Sequence, residues 1–168
     1  MRGPRLFCLL MMLILASGAV RAAPSQPRPL SVNLDRCFQI AGQKYKISPQ
    51  LLRAIGKRES SLRHWVTNDN RNTAGKIVST DYGVMQINSI HIPRLIRLGV
   101  IRSAQDLLTR PCLNIQVGAW ILAQHLQVCG LTWTCLGSYN AGFSKNNTPA
   151  RQKYAGYIKD ILRRESGL

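Results

Sequence analysis

The sequence predicts a mainly α-helical domain of the α+β class with one small, irregular β loop. Three observations support this prediction. Apolar residues recur at helical spacing in several segments, Ser48-Pro49 is a strong helix start, and residues 68–79 are rich in Asn, Asp and Gly. The length of 168 residues fits one domain, and a hydrophobic content of 45% is enough for a core.

The helices are expected in the following order. The first begins near Asn33 and runs through Ala41, and the second begins at Ser48-Pro49. Ile77-Val78, at the end of the turn-rich loop, is the only β signal and is expected to pair in a short hairpin. Further helical segments are predicted over residues 84–90, 93–98, 106–126 with a break at Pro111, 136–139 and 149–164. The segment that ends at Cys129-Gly130 is apolar on most faces, which indicates a buried central helix.

Residues 1–22 have the layout of a secretory signal peptide. Arg2 and Arg5 precede an uncharged apolar run over residues 6–20, and Val20 and Ala22 supply the small residues of a cleavage site. The run is shorter than the roughly 20 apolar residues that span a bilayer. We therefore expect cleavage, export to the periplasm and no stable membrane span in the mature protein. Residues 23–32 are expected to form a flexible leader, and residues 33–165 the folded domain.

The charge points to a polyanionic partner. The chain has 23 Lys and Arg against 7 Asp and Glu, a formal net charge of +16. Nucleic acid is the usual partner of such a chain, but the sequence has no recognisable nucleic-acid motif and its N-terminus indicates export. Peptidoglycan carries carboxylates on its lactyl groups and peptide stems. We therefore expect peptidoglycan, and no nucleic acid, as the partner.

Four cysteines follow the signal segment, and an even number in an exported chain indicates two disulfides. Three pairings are possible among Cys37, Cys112, Cys129 and Cys135. A bond between Cys129 and Cys135 would close a short loop, and Cys37–Cys112 would then link the first helix to the centre of the domain.

A metal site is not expected. The chain has no Cys-x-x-Cys motif, and His64, His91 and His125 are scattered along it. These histidines are expected at the surface or in supporting positions.

Glu59 is the first candidate for chemistry. It is one of only two glutamates, and it falls on the apolar stripe of the second helix with Leu52, Ile55 and Leu62. A carboxyl group that faces a core loses hydration, which raises its pKa and suits a general acid. The ordinary alternative is a solvated glutamate at a helix end, or one paired with a neighbouring arginine.

Two other clusters are ambiguous when each is taken alone. In residues 79–89, Asp81 could cap a turn, Met85 could belong to the core and Gln86 could lie on the surface. Residues 138–142 could be a helix end with a left-handed cap.

Taken together and in order, three segments resemble the motifs of lytic transglycosylases of the lysozyme-like superfamily. They are Glu59-Ser60-Ser61, residues 83–88 (Gly-Val-Met-Gln-Ile-Asn) and residues 139–142 (Tyr-Asn-Ala-Gly); Tyr154 resembles the fourth motif. The resemblance extends from about Cys37 to Ile161. It implies a lysozyme-like fold with a substrate cleft. Similarity is greatest to the small members that accompany secretion systems, conjugation machines and type IV pili, so such machines are expected partners.

The resemblance also implies a mechanism without a cofactor. Glu59 would protonate the bond between N-acetylmuramic acid and N-acetylglucosamine, and the muramyl C6 hydroxyl would then form a 1,6-anhydro ring. The substrate-binding set implied by the family consists of Ser60, Met85, Gln86, Tyr139, Asn140 and Tyr154. Within it, Met85 and Gln86 would line the cleft, Tyr154 would orient the acid, and Ser60 would act mainly as a local hydrogen-bonding group.

Two alternatives remain open at this point. Residues 79–83 with 86–89 also resemble the animal c-type lysozymes, in which the aspartate at the Asp81 position is a second carboxylate in a retaining hydrolysis. That role needs the carboxyl groups of Asp81 and Glu59 about 5–5.5 Å apart. The other alternative is a non-catalytic glycan-binding assembly factor, which would not need a carboxylate at residue 59.

Overall fold

The computed structural model describes residues 33–167. The signal peptide and leader predicted for residues 1–32 lie outside the described residues. Among the described residues, no helix is both long enough and apolar enough to cross a membrane.

The first two helices begin and end at residues suited to those positions. Helix α1 covers Leu34–Tyr45, and its N-cap Asn33 accepts a hydrogen bond from the backbone N–H of Arg36 at 3.1 Å. Helix α2 covers Pro49–Ser60, and the Ser48 hydroxyl caps it by accepting from the Leu51 N–H. Helix α2 ends where Ser61 adopts a left-handed conformation with φ of 54°. Both predicted helix starts are confirmed.

A three-stranded antiparallel sheet follows, with strand order β1-β2-β3. Strand β1 covers Thr67–Arg71, β2 covers Ile77–Tyr82 and β3 covers Ile87–Asn88. Thr67 pairs with Tyr82, and Asp81 pairs with Asn88. The hairpin predicted from Ile77-Val78 is confirmed but longer than expected. The prediction of a helix over residues 84–90 is wrong. This segment forms a turn, strand β3 and the start of a 3-10 helix over Ser89–His91.

The second half is helical. Its helices are α3 (Ile92–Arg97), α4 (Asp106–Thr109), α5 (Pro111–Cys129), α6 (Trp133–Leu136), α7 (Ser138–Ala141) and α8 (Thr148–Glu165), with a 3-10 turn over Lys145–Asn147. The predicted break at Pro111 separates α4 from α5 because proline occupies the first turn of the new helix.

Helix α5 is the centre of the core, as its apolar composition predicts. Ile115, Ala119 and Leu122 are fully buried in it, and they share one apolar cluster with Phe38 of α1 and Leu52 of α2. The fold is therefore the mainly α class that was expected, with the small sheet packed beside a helical core.

Two disulfides link the helices. Cys37 pairs with Cys112 and joins α1 to the start of α5, with the Cα atoms 5.0 Å apart. Cys129 pairs with Cys135 and closes a loop between α5 and α6, with the Cα atoms 5.5 Å apart. Of the three possible pairings, the structure has the one in which Cys129 and Cys135 close the short loop between them.

Candidate active site

The site is a polar cleft of about 250 Å³ between the sheet and helices α2, α5 and α7. Its walls carry one carboxyl group from α2 and another from β2, with amides, two imidazoles and one phenol ring around them. The lining residues are Glu59, Asn70, Ser79, Asp81, Gln86, Ile87, Asn88, His91, Ile121, His125, Tyr139 and Asn140. The structure therefore brings Glu59, Asp81, Gln86, Tyr139 and Asn140 of the predicted set into one cleft.

Glu59 lies near the end of α2 with its carboxyl group largely removed from water. Burial raises the pKa of Glu59, and the nearby charge of Asp81 raises it further. The Tyr154 hydroxyl donates a hydrogen bond to Oε1 of Glu59, which lowers the pKa, as does the charge of Arg58. The balance leaves the pKa of Glu59 above its ordinary value of 4.5. The site therefore favours a protonated carboxyl group, which is the state that a general acid needs.

Asp81, on strand β2, is held in the wall of the same cleft by amide donors. Its Oδ2 accepts from Asn70 Nδ2 at 2.8 Å and its Oδ1 accepts from Asn88 Nδ2 at 2.7 Å. Both amides also donate to the hydroxyl oxygen of Ser79, at 3.1 and 3.0 Å. These hydrogen bonds fix the positions of both carboxylate oxygens. Asp81 thus places a fixed negative charge in the cleft that contains Glu59.

The turn between β2 and β3 forms part of the wall of the cleft in a conformation that is rare for most residues. Gly83 has φ of 74°, and a Cβ atom there would lie 2.4 Å from Asn114 Nδ2. Gln86 also has a positive φ, 47°, and its side-chain amide donates to the Gly83 carbonyl at 2.9 Å. A strained residue persists where its surroundings fix it, and such residues cluster at functional sites.

Three side chains from three helices fix that turn. The hydroxyl of Ser60 donates to the Val84 carbonyl at 2.8 Å, and the hydroxyl of Tyr139 donates to the Met85 carbonyl at 2.8 Å. Asn114 accepts from the Met85 N–H, also at 2.8 Å. Helices α2, α5 and α7 therefore hold the wall of the cleft in place beside Glu59.

Of the predicted binding residues, Met85 has a role that differs from the expected one, whereas Ser60 and Tyr154 make the supporting hydrogen bonds that were expected of them. Met85 is fully buried, so its side chain packs in the core and does not line the cleft, because the turn directs it towards Gly118 of α5. Ser60 is 97% buried and bonded within the protein, so it supports the turn and does not face substrate. Tyr154 is also buried and donates a hydrogen bond to the Glu59 carboxyl group. Tyr139 presents its ring to the cleft while its hydroxyl is used internally.

Several site residues were missed by the sequence analysis. Asn70 and Asn88 fix Asp81, and His91 and His125 line the cleft. Asn114, fully buried, also donates to the carbonyls of Tyr82 and Leu107 at 2.8 and 3.1 Å. The signal that could have found Asn114 is a lone amide within the apolar face of a buried helix, since such a group needs partners. Over residues 33–167, no group of three or more His, Cys, Asp or Glu is arranged to hold a metal ion.

Comparison with known proteins agrees with this geometry. A family model described as the transglycosylase SLT domain matches residues 36–162. The peptidoglycan-binding-like protein of Escherichia coli O157:H7 is 46% identical over 128 residues, covering 76% of this chain and 77% of that protein. Invasion protein IagB of Salmonella typhimurium is 36% identical over 132 residues, covering 79% of this chain and 78% of IagB. Protein IpgF of Shigella sonnei is 38% identical over 128 residues, covering 76% of this chain and 78% of IpgF.

A solved structure has the same fold. The X-ray structure of an inactive mutant of the lytic transglycosylase Slt from Pseudomonas aeruginosa superposes with a TM-score of 0.54 at 18% identity. The match covers 79% of this chain but only 24% of that one, so this chain corresponds to about a quarter of Slt. With the family match and the cleft around Glu59, the chain belongs to the transglycosylase SLT domain family of the lysozyme-like superfamily and is a peptidoglycan lytic transglycosylase.

Proposed function

We propose that this enzyme breaks the β-1,4 bond between N-acetylmuramic acid and N-acetylglucosamine and leaves a 1,6-anhydromuramyl end. The observation that carries the proposal is the carboxyl group of Glu59, which lies in the polar cleft and has a raised pKa because it is buried. A protonated carboxyl group next to bound sugar is able to donate its proton to a glycosidic oxygen.

Glu59 would act twice in the reaction. It first gives its proton to the glycosidic oxygen, the bond from that oxygen to the muramyl anomeric carbon breaks, and the oxygen keeps the electron pair. The C6 hydroxyl of the same sugar then attacks the anomeric carbon, and its proton goes to the Glu59 carboxylate. No water is consumed, and the acid is restored. The acetamido group of the sugar can stabilise the positive centre between the two steps.

The other residues would hold the acid and the sugar. The Tyr154 hydroxyl fixes the Glu59 carboxyl group, and the turn that contains Gln86 is fixed by Ser60, Asn114 and Tyr139. Gln86, Asn140 and the ring of Tyr139 line the cleft and would contact the substrate. Rigid support of this kind lowers the cost of aligning the C6 hydroxyl with the anomeric carbon.

Asp81 favours a second candidate, a retaining muramidase in which it is the second carboxylate. It lies in the same cleft, and its charge raises the pKa of Glu59. Both of its oxygens accept amide hydrogen bonds from the sheet, however. Hydrogen bonds to an ionised carboxylate stabilise it and weaken it as a nucleophile. We therefore assign Asp81 to electrostatic stabilisation of the cationic sugar, not to covalent attack.

Mass spectrometry of the soluble products from purified peptidoglycan separates these candidates. The proposal predicts anhydromuramyl ends, which are lighter than reducing ends by one water molecule. The Glu59→Gln variant should release no product, whereas the matched variant Glu165→Gln should release wild-type amounts, because Glu165 lies in surface ion pairs with Arg53 and Lys57. Reducing ends would support the muramidase. Equal release by wild type and Glu59→Gln would point to contaminating activity. Either that result or no release by wild type would support a non-catalytic assembly factor.

The cellular setting is also part of the proposal. Action on peptidoglycan requires an extracytoplasmic location, and we propose that the protein is exported to the periplasm. Residues 1–22 would be cleaved as a signal peptide. The mature protein would then consist of a leader over residues 23–32 and the domain over residues 33–165. The similarity to a protein named for invasion supports local opening of the wall during assembly of a secretion, conjugation or pilus machine. Edman sequencing of the exported protein should begin at residue 23. A chain retained in the cytoplasm with Met1 intact would contradict this part of the proposal.

A further inference from the structure

His125 lies on α5 and lines the cleft, and the proposed reaction gives it no role. Its Nδ1 lies 2.9 Å from the hydroxyl oxygen of Ser138. That hydroxyl has a single hydrogen, which it donates to the Cys135 carbonyl at 2.6 Å. Ser138 can therefore only accept from His125, so Nδ1 carries a hydrogen and Nε2 of the neutral ring carries a lone pair.

The lone pair of Nε2 is available to a ligand. Among residues 33–167, Nε2 of His125 has no hydrogen-bond partner, and the only buried unpartnered side-chain nitrogen or oxygen in that range is Nε of Arg151. It follows that Nε2 is exposed to solvent, on a residue that lines the cleft. Burial and the neighbouring His91 lower the pKa of His125, which favours the neutral ring and keeps Nε2 an acceptor.

An apolar surface lies beside this acceptor. The ring of Phe143 packs against the His125 ring, with centroids 4.6 Å apart and planes inclined by 46°. Phe143 is nevertheless 44% exposed. It follows Gly142, whose φ of 66° turns the chain after α7. The pair thus offers a hydrogen-bond acceptor next to an exposed aromatic ring, which is a combination suited to a pyranose, whose C–H face is apolar and whose edge carries O–H and N–H donors.

We propose that His125 and Phe143 form a sugar-binding subsite at the α5–α7 side of the cleft. Nε2 of His125 accepts a hydrogen bond from a hydroxyl or acetamido N–H of the glycan, and the Phe143 ring covers the face of the same sugar. Ser138 is a positioning residue that sets the tautomer. This inference rests on the proposed function in that it takes a glycan as the ligand of the cleft.

The test measures binding by a variant that does not cleave. In the Glu59→Gln background, affinity for soluble uncrosslinked peptidoglycan strands is measured by calorimetry. His125→Gln places an amide near the position of Nε2, whereas His125→Asn keeps an amide only near Nδ1, where it can still contact Ser138. We expect His125→Asn to weaken binding about threefold to tenfold, the range of one net hydrogen bond, and His125→Gln to stay within about twofold of its parent. Phe143→Ala should weaken binding while Phe143→Tyr should not.

Thermal unfolding of each variant controls for folding, since a structural role alone would affect Asn and Gln variants alike. Unchanged binding by His125→Asn, or equal losses with Asn and Gln, would overturn the assignment. A failure of the proposed chemistry would show separately, as cleavage of the strands by the Glu59→Gln parent.

Discussion

The hydroxyl of Tyr154 donates a hydrogen bond to Oε1 of Glu59, although the two residues are 95 positions apart in the chain. Helix α8 thereby contacts the acid that α2 places in the cleft. A hydrogen bond to a carboxylate stabilises its charged form and so opposes the effect of burial, which raises the pKa of Glu59. The proton affinity of Glu59 therefore depends mainly on a balance between burial and the hydrogen bond from Tyr154.

Replacing Tyr154 with Phe should move the pH dependence upward. Loss of the hydrogen bond removes an influence that lowers the pKa of Glu59, so Glu59 keeps its proton to higher pH. The alkaline limb of kcat/KM, where the general acid loses its proton, should shift to higher pH. Because the acid is also less well oriented, kcat should fall by roughly tenfold to a hundredfold.

Tyr45→Phe is the matched control, because Tyr45 borders a separate apolar pocket with Leu95 and Trp120. Its pH profile should equal that of wild type. A Tyr154→Phe profile that overlays the wild-type one would mean that the phenol does not tune Glu59.

Asp81→Asn should move the same limb in the opposite direction. The negative charge of Asp81 raises the pKa of Glu59, so its removal lets Glu59 lose its proton at lower pH. If Asp81 stabilises charge without forming a covalent bond, the variant should lose about tenfold to a thousandfold in kcat and still form anhydro ends. Pre-steady-state kinetics that reveal a covalent glycosyl-enzyme in wild type and none in Asp81→Asn would support the muramidase instead.

Asn114→Ala should destabilise the protein by about 2–4 kcal/mol, because it leaves the Met85 N–H and the carbonyls of Tyr82 and Leu107 without a partner in the core. Urea denaturation measures this change. Gln124→Ala on the same helix loses an exposed hydrogen bond from Arg94 and a long one of 3.4 Å to the Trp120 carbonyl, and should stay within about 0.5 kcal/mol of wild type. Equal effects of the two substitutions would show that the turn does not depend on Asn114.

The two disulfides should differ in their contribution to stability. Cys37 and Cys112 are 75 positions apart, and Cys129 and Cys135 are 6 apart. Chain entropy then assigns about 4 kcal/mol to the first bond and about 2 kcal/mol to the second. Paired Cys→Ala variants, compared by urea denaturation, should follow that order. Thiol titration of unreduced mature protein should find no free thiol. A reversed order would mean that structure in the unfolded chain dominates.

Local signals account for what the sequence predicted correctly. Ser48-Pro49 and Gly130 mark helix ends through short-range chemistry, and the stripe of Leu52, Ile55 and Glu59 predicts that the Glu59 side chain is buried. These features depend on neighbours a few residues away. They were predictable for that reason.

The errors arise where pairing and packing contacts, and not a local periodic pattern, decide the structure. Strand β3 has two residues, too few for a period, and forms only because Asp81 and Tyr82 pair with it. Met85 was expected in the cleft because its family motif lies there, but the positive φ of Gln86 and the contact with Gly118 turn it inward. The role proposed for His125 depends on its contact with Ser138, which lies 13 positions away across a disulfide-closed loop.

The most direct test is titration of the Glu59 carboxyl group itself. The chain contains only Glu59 and Glu165, so protein labelled with ¹³C at glutamate Cδ gives two resonances, and Glu165→Gln assigns them. The pKa of Glu165 should lie below 4.5, because of its hydrogen bond with Lys57 and the charge of Arg53. The pKa of Glu59 should lie above 4.5 because it is buried. A Glu59 that titrates at or below the midpoint of Glu165 would contradict the proposed acid.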